Sequence, residues 1–162
     1  MRLRWYRSWP DVVPAGRAHV HDQLPRLLMR DHDYANAQLP GDQPGWCMLE
    51  WDVALASEAR ERFAELALQA PDRVLVAPYS IYPIGGPPAG VHRIAGRPIP
   101  HGAPEAETFG LGCIYLPQAI LRHWHATGGG RLDDRTFSRW HHRIYGPAAV
   151  TWQVSPQHLH GD

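Results

Sequence analysis

The chain has 162 residues, with 16 basic and 16 acidic side chains and a formal net charge of zero. That balance excludes a general electrostatic pull onto nucleic acid or an anionic membrane surface. The length predicts one domain spanning residues 1–162, large enough to bury a core without disulfides or metals as staples.

Leu3 and Trp5 alternate with Arg2 and Arg4, which predicts a first strand near residues 2–6, ended by Ser8-Trp9-Pro10-Asp11. Leu24, Leu27 and Leu28 suit one face of a short helix after Pro25. Pro40-Gly41-Asp42 and Pro44-Gly45 are turn chemistry. Trp46-Cys47-Met48-Leu49 is a continuous apolar run and reads as a buried strand, with Glu50-Trp51-Asp52 at its C-terminal end. Ser57 suits a helix cap, and Phe63, Leu66, Ala67 and Ala70 keep one apolar face, so residues 58–70 form a helix. Val74-Leu75-Val76-Ala77 is a second buried strand, and the three elements together make a βαβ unit.

Residues 79–108 hold six prolines and five glycines and read as a long irregular loop, with a hairpin around Ala95-Gly96. A loop of that length in a small domain is expected to border a functional cleft. Phe109-Gly110-Leu111-Gly112 leads into a third strand, Cys113–Leu116, and Pro117 opens a helix running to about Ala126. Asp133 or Asp134 caps a further helix whose face is Phe137, Trp140, His141 and Ile144. Val150, Trp152 and Val154 alternate in a last strand before Pro156-Gln157-His158-Leu159-His160.

The two cysteines, Cys47 and Cys113, are too few for a disulfide framework and read as buried free thiols. No apolar run approaches the ~18 residues of a membrane span. Met1-Arg2-Leu3-Arg4-Trp5 lacks the apolar stretch of a secretory signal. The expectation is a cytoplasmic protein without a membrane span.

Several residues carry chemistry. Glu50 and Asp52, two apart and just past a buried strand, project from the sheet edge where open α/β sheets bind ligands. Hard dications take such oxygen ligands and leave positions for phosphate oxygens and water. Their other reading is a solvated turn, or a helix cap in the case of Asp52. Asp133-Asp134 at a helix start suits capping, or a general base able to take a proton from a hydroxyl. His158 and His160 share a face if the strand continues, and imidazole binds first-row metals. His123, His125, His141 and His142 lie on helices and read as surface or packing residues. Gly110 and Gly112 let backbone approach a ligand closely, but they do not form a dinucleotide fingerprint.

Taken in order, these parts resemble the GT-A-fold nucleotide-sugar glycosyltransferases. The apolar strand with Met48-Leu49-Glu50-Trp51-Asp52-Val53 is similar to their strand and Asp-x-Asp metal motif. Phe109-Gly110-Leu111-Gly112-Cys113-Ile114-Tyr115 is similar to their glycine-containing loop, Leu132-Asp133-Asp134 to their acidic pair, and the terminal His158 or His160 to their metal-binding histidine. The resemblance covers roughly residues 45–160. It implies an α/β fold with a GT-A-like mixed central sheet and helices on both faces. Asp52 would bind Mn²⁺ or Mg²⁺ directly, Glu50 would help through water or ribose, and His158 or His160 would complete the shell. Asp134, or else Asp133, would be the acceptor base. The donor would be a nucleoside-diphosphate sugar and the acceptor an unidentified hydroxyl compound. The chain departs from the pattern in carrying Glu at position 50 and Asp-Asp at 133–134. Only about 45 residues precede the motif, so the nucleotide-binding part is abbreviated. Asp31, Asp33 and Tyr34 are the candidates there for base or ribose contacts, and a partner subunit could complete the acceptor side. The competing readings are a non-catalytic accessory module of the same fold, a phage-type glycosyltransferase acting on modified nucleic-acid bases, and a metal-dependent phosphoesterase. Arg93, Arg97 and His92 favour the nucleic-acid reading slightly, and zero net charge weighs against it.

Overall fold

The computed structural model describes residues 2–28, 43–80, 92–129 and 132–159. Two sheets and three helices make up the described part. The larger sheet has seven strands. Its first half comprises β1 (Trp5–Trp9), β2 (Arg26–Leu28) and β3 (Gly45–Glu50), and the second comprises β5 (Leu75–Val76), β9 (Glu105–Ala106), β10 (Cys113–Pro117) and β11 (Ala148–Val150). Their spatial order is β2-β1-β3-β10-β5-β11-β9. β1, β2 and β3 are mutually parallel, and β5 and β11 are parallel to each other. β10 runs antiparallel to both β3 and β5 and joins the two sets, and β9 is antiparallel to β11. The smaller sheet, in the order β4-β12-β6-β7-β8, contains β4 (Val53–Ala54), β6 (Tyr79–Ser80), β7 (His92–Ile94), β8 (Arg97–Pro98) and β12 (Gln157–His158).

The period-2 alternation of the central strands decides which helix packs where. Trp46 and Met48 of β3, with Ile114 and Leu116 of β10, face one core. That core also holds Ile120, Leu121 and Trp124 of α2 (Gln118–Ala126) and Phe137 and Trp140 of α3 (Asp134–Tyr145). The intervening residues Cys47, Leu49, Cys113 and Tyr115 face the opposite core, with Phe63 and Ala67 of α1 (Ser57–Gln69). The fold is therefore α/β with a mixed sheet and helices on both faces. Both cysteines are buried and free. Among the described residues, no helix is long and apolar enough to cross a membrane.

The strand-helix-strand unit forms, but β3 and β5 are not neighbours, because β10 enters between them. The residues after Pro25 form the edge strand β2, not a helix. Their backbone is claimed by β1, with Arg7 N donating to the Pro25 carbonyl at 2.9 Å. Ser57 lies inside the first turn of α1, and Ala56 occupies the cap position with no side-chain hydrogen bond. The described residues of the stretch 79–108 include the four short strands β6 to β9. The predicted hairpin is present, with Ala95 and Gly96 both in the left-handed region (φ 53° and 73°), as a two-residue turn of this hand requires.

On α3, Phe137, Trp140 and His141 are buried as expected, while Ile144 is exposed and Ser138 takes the inward place. His141 packs against Phe109 and Tyr145, with ring centroids 5.3 and 5.4 Å away. Burial pushes its imidazole down to about 4 from an ordinary 6.5. The unfolded chain thus binds more protons than the folded one between those two values. Stability contributed by neutral His141 is complete above about pH 6.5 and is lost as pH falls towards 4. Urea unfolding at pH 7.5 and 4.5 should show that loss. His141→Leu should remove up to about 3 kcal/mol of it.

Candidate functional site

The parallel strands end at one edge of the large sheet, where the chain leaves β3 into Glu50-Trp51-Asp52 and leaves β5 towards Tyr79. β10, being antiparallel, begins at that edge, so Gly110 and Gly112 lie there too. The small sheet covers this edge. Its strand β12 pairs with β4, His158 opposite Val53, and the Leu159 N–H donates to the Asp52 carbonyl at 2.9 Å. This pairing brings the two ends of the proposed site together.

Asp52 is buried, and the His158 imidazole Nε2 donates to its Oδ2 at 3.0 Å. The other carboxylate oxygen, Oδ1, is buried and accepts no hydrogen bond from the described residues. A buried anionic oxygen without a donor is one a cation would satisfy. Glu50 stands beside the pair. Its carboxyl is closely surrounded, and burial raises its pKa to about 7; the charges of Asp52 and Asp134 push the same way, while His158 opposes them. Glu50 therefore senses three of the residues singled out in the sequence, and Asp134 belongs to the same electrostatic neighbourhood. The ring of Tyr79 lies 5.3 Å from that of His158 and packs against it.

Gly112 explains how Tyr79 gets there. A Cβ at this position would come within 2.9 Å of the Tyr79 ring, and one on Gly110 within 3.2 Å of the Ala95 backbone. The close approach expected of these glycines is made to the small sheet, so their openings are filled by protein. Their role is to seat Tyr79 and the β7–β8 hairpin against the sheet edge.

Arg7 lies in none of the sequence motifs, yet it holds the candidate site's turn in place. It is fully buried, and it shares a bidentate ion pair with Asp22, at 2.6 and 3.2 Å. Its Nη1 also donates to the carbonyls of Glu50 (2.7 Å) and Val53 (2.8 Å). One guanidinium thus clamps both ends of the turn that presents Asp52. The signal in the sequence is phase: Arg7 continues the inward-facing series of Leu3 and Trp5, where an apolar residue belongs. Removing one partner of such a pair strands the other groups. Arg7→Met should destabilise the fold by about 3 kcal/mol in denaturant titration. It should also weaken any ligand held by Asp52.

The two acids at the start of α3 have separate roles. Asp133 is the cap, its Oδ1 accepting from the Thr136 N–H at 2.8 Å. Asp134 is exposed and lines a cleft of about 120 Å³ together with Ala95, Arg97, Thr108, Arg135, Ser138 and Arg139. Residues of the long loop thus border the Asp134 side of the site. His123 instead meets the Tyr145 hydroxyl at 2.6 Å, a packing role. His160, Asp31, Asp33 and Tyr34 lie outside the described residues.

Among the described residues, no group of three or more His, Cys, Asp or Glu side chains is placed to hold a metal ion. The expected ligand set is thus reduced to the touching pair Asp52 and His158, with Glu50 beside it. Comparison of the chain with protein-family models, curated proteins and solved structures returns no match.

Proposed function

We propose that the chain is a compact GT-A-type glycosyltransferase that moves a sugar from a nucleoside-diphosphate donor to an acceptor hydroxyl. The observation that carries this reading is the contact between Asp52 and His158, 106 residues apart, with Glu50 adjoining and Asp134 within electrostatic reach. Those are the parts, in the order, that the resemblance calls for.

The donor set fits a hard dication. Mn²⁺ and Mg²⁺ are commonly held by one or two carboxylates, with substrate phosphates filling other positions, so a complete protein cage is not needed. Asp52, through Oδ1, would hold the ion, and His158 would join it by exchanging the Nε2 proton now shared with Asp52 for the cation; Glu50 lies beside them, and the ion's charge would ease departure of the diphosphate. Asp134 accepts the proton of the acceptor hydroxyl. The acceptor oxygen bonds to the anomeric carbon, the bond from that carbon to the diphosphate breaks, and nucleoside diphosphate leaves. A carboxylate acting in this way favours direct displacement with inversion. Arg7 positions the turn, and Tyr79 positions His158.

The test is calorimetric titration of nucleoside diphosphates with and without Mn²⁺, followed by product analysis with nucleotide-sugar donors. Binding that needs Mn²⁺, and sugar found on an added hydroxyl compound, support the proposal. Binding without any effect of Mn²⁺, or release of sugar phosphate alone, would count against it.

A further inference from the structure

The cleft beside Asp134 is strongly cationic although the chain as a whole is neutral. Arg135 and Arg139 stand one helical turn apart on α3, and Arg97 reaches the same cleft from β8. All three are exposed, and among the described residues none of their guanidiniums makes a hydrogen bond or an ion pair. Among the described residues Asp134 is the one acid lining the cleft, so the three arginines leave an excess of positive charge around about 120 Å³. Like charges drawn together from two elements repel unless an anion completes them. Arg suits a planar carboxylate or a phosphate through paired N–H donors. The first turn of α3 adds its own positive end. The volume has room for an anionic group and the carbons that bear it.

We propose that this cleft binds the acceptor through an anionic group, a carboxylate or phosphate carried by a small hydroxyl compound close to the hydroxyl that is glycosylated. The proposal rests on the glycosyl-transfer reading for the word acceptor, but the anion site can be tested without turnover. It places the anion on Arg97, Arg135 and Arg139 and leaves the hydroxyl facing Asp134.

The experiment compares the whole chain with Arg135→Gln/Arg139→Gln and with Arg97→Gln, each checked by thermal unfolding. Inorganic phosphate and glucuronate are titrated at low salt while arginine side-chain N–H signals are followed by NMR. A nucleoside diphosphate with Mn²⁺ is titrated separately. Wild-type protein should bind both anions with shifts at the three arginines. The double variant should weaken that binding by about 10-fold or more, the scale of losing charge-assisted hydrogen bonds. It should leave Mn²⁺-dependent nucleotide binding within about twofold. Loss of nucleotide binding in step with the anions would overturn the proposal, because the cleft would then hold the donor diphosphate. So would the absence of anion binding in the wild type, or displacement of phosphate by a short oligonucleotide at far lower concentration. If the anions bind as described but nucleoside diphosphate never does, the anion site stands and the glycosyl-transfer reading falls.

Discussion

Asp52→Ala is expected to abolish Mn²⁺-dependent binding of a nucleoside diphosphate. The substitution removes the buried oxygen that has no donor among the described residues and the group to which His158 is bonded, so both proposed ligands of the cation would be lost or released. Asp52→Asn separates the charge from the shape. The amide oxygen can still accept from His158, but the anionic ligand is gone, and cation-dependent binding should fall nearly as far. Thermal unfolding of both variants, measured without metal, distinguishes a lost site from a lost fold. If Asp52→Asn binds nucleotide and Mn²⁺ like the wild type, Asp52 is a structural partner of His158 and the metal reading fails.

Asp134→Asn should leave that binding within about twofold and lower the rate of transfer by about 10²–10⁴, the usual worth of a positioned general base. The amide keeps the size of the side chain but cannot take a proton. Helix capping does not confuse this result, because the cap is Asp133, through Thr136. Asp133→Asn is therefore the control. It should preserve the rate, and it should preserve stability too, since Asn caps about as well as Asp. Equal losses of binding in Asp134→Asn and Asp52→Asn would make Asp134 a ligand instead of a base.

The parts of the fold legible in the sequence are those whose patterns are local. Trp46 to Leu49 had to be a buried strand because a polar face is missing, and α1 declared itself by the spacing of Phe63 and Ala67. Ala95-Gly96 marked its hairpin because two adjacent left-handed residues are chemically demanding. What is not local was not legible. Leu24, Leu27 and Leu28 keep helical spacing, yet β1 offers Arg26–Leu28 a parallel partner, and that pairing decides the outcome. Nothing in Cys113–Pro117 says that it must lie between β3 and β5, antiparallel to both. For the site, Glu50, Asp52, Asp134 and His158 were visible as residue types at strand and helix ends. Arg7 was hidden because its importance lies in two backbone carbonyls, and those leave no mark on the residues that own them.

The pairing of β12 with β4 also bears on how the protein is made. Every strand of the large sheet has been synthesised once β11 has emerged, at Ala148–Val150, whereas Asp52 meets its partner only when His158 follows. A chain ending between those points would hold all seven strands of the large sheet but would leave β4 and β6 unbridged. On the proposed reading such a chain would lack the Asp52–His158 pair on which cation and nucleotide binding depend. On that reading, it is the closing of this 106-residue span that would complete the site.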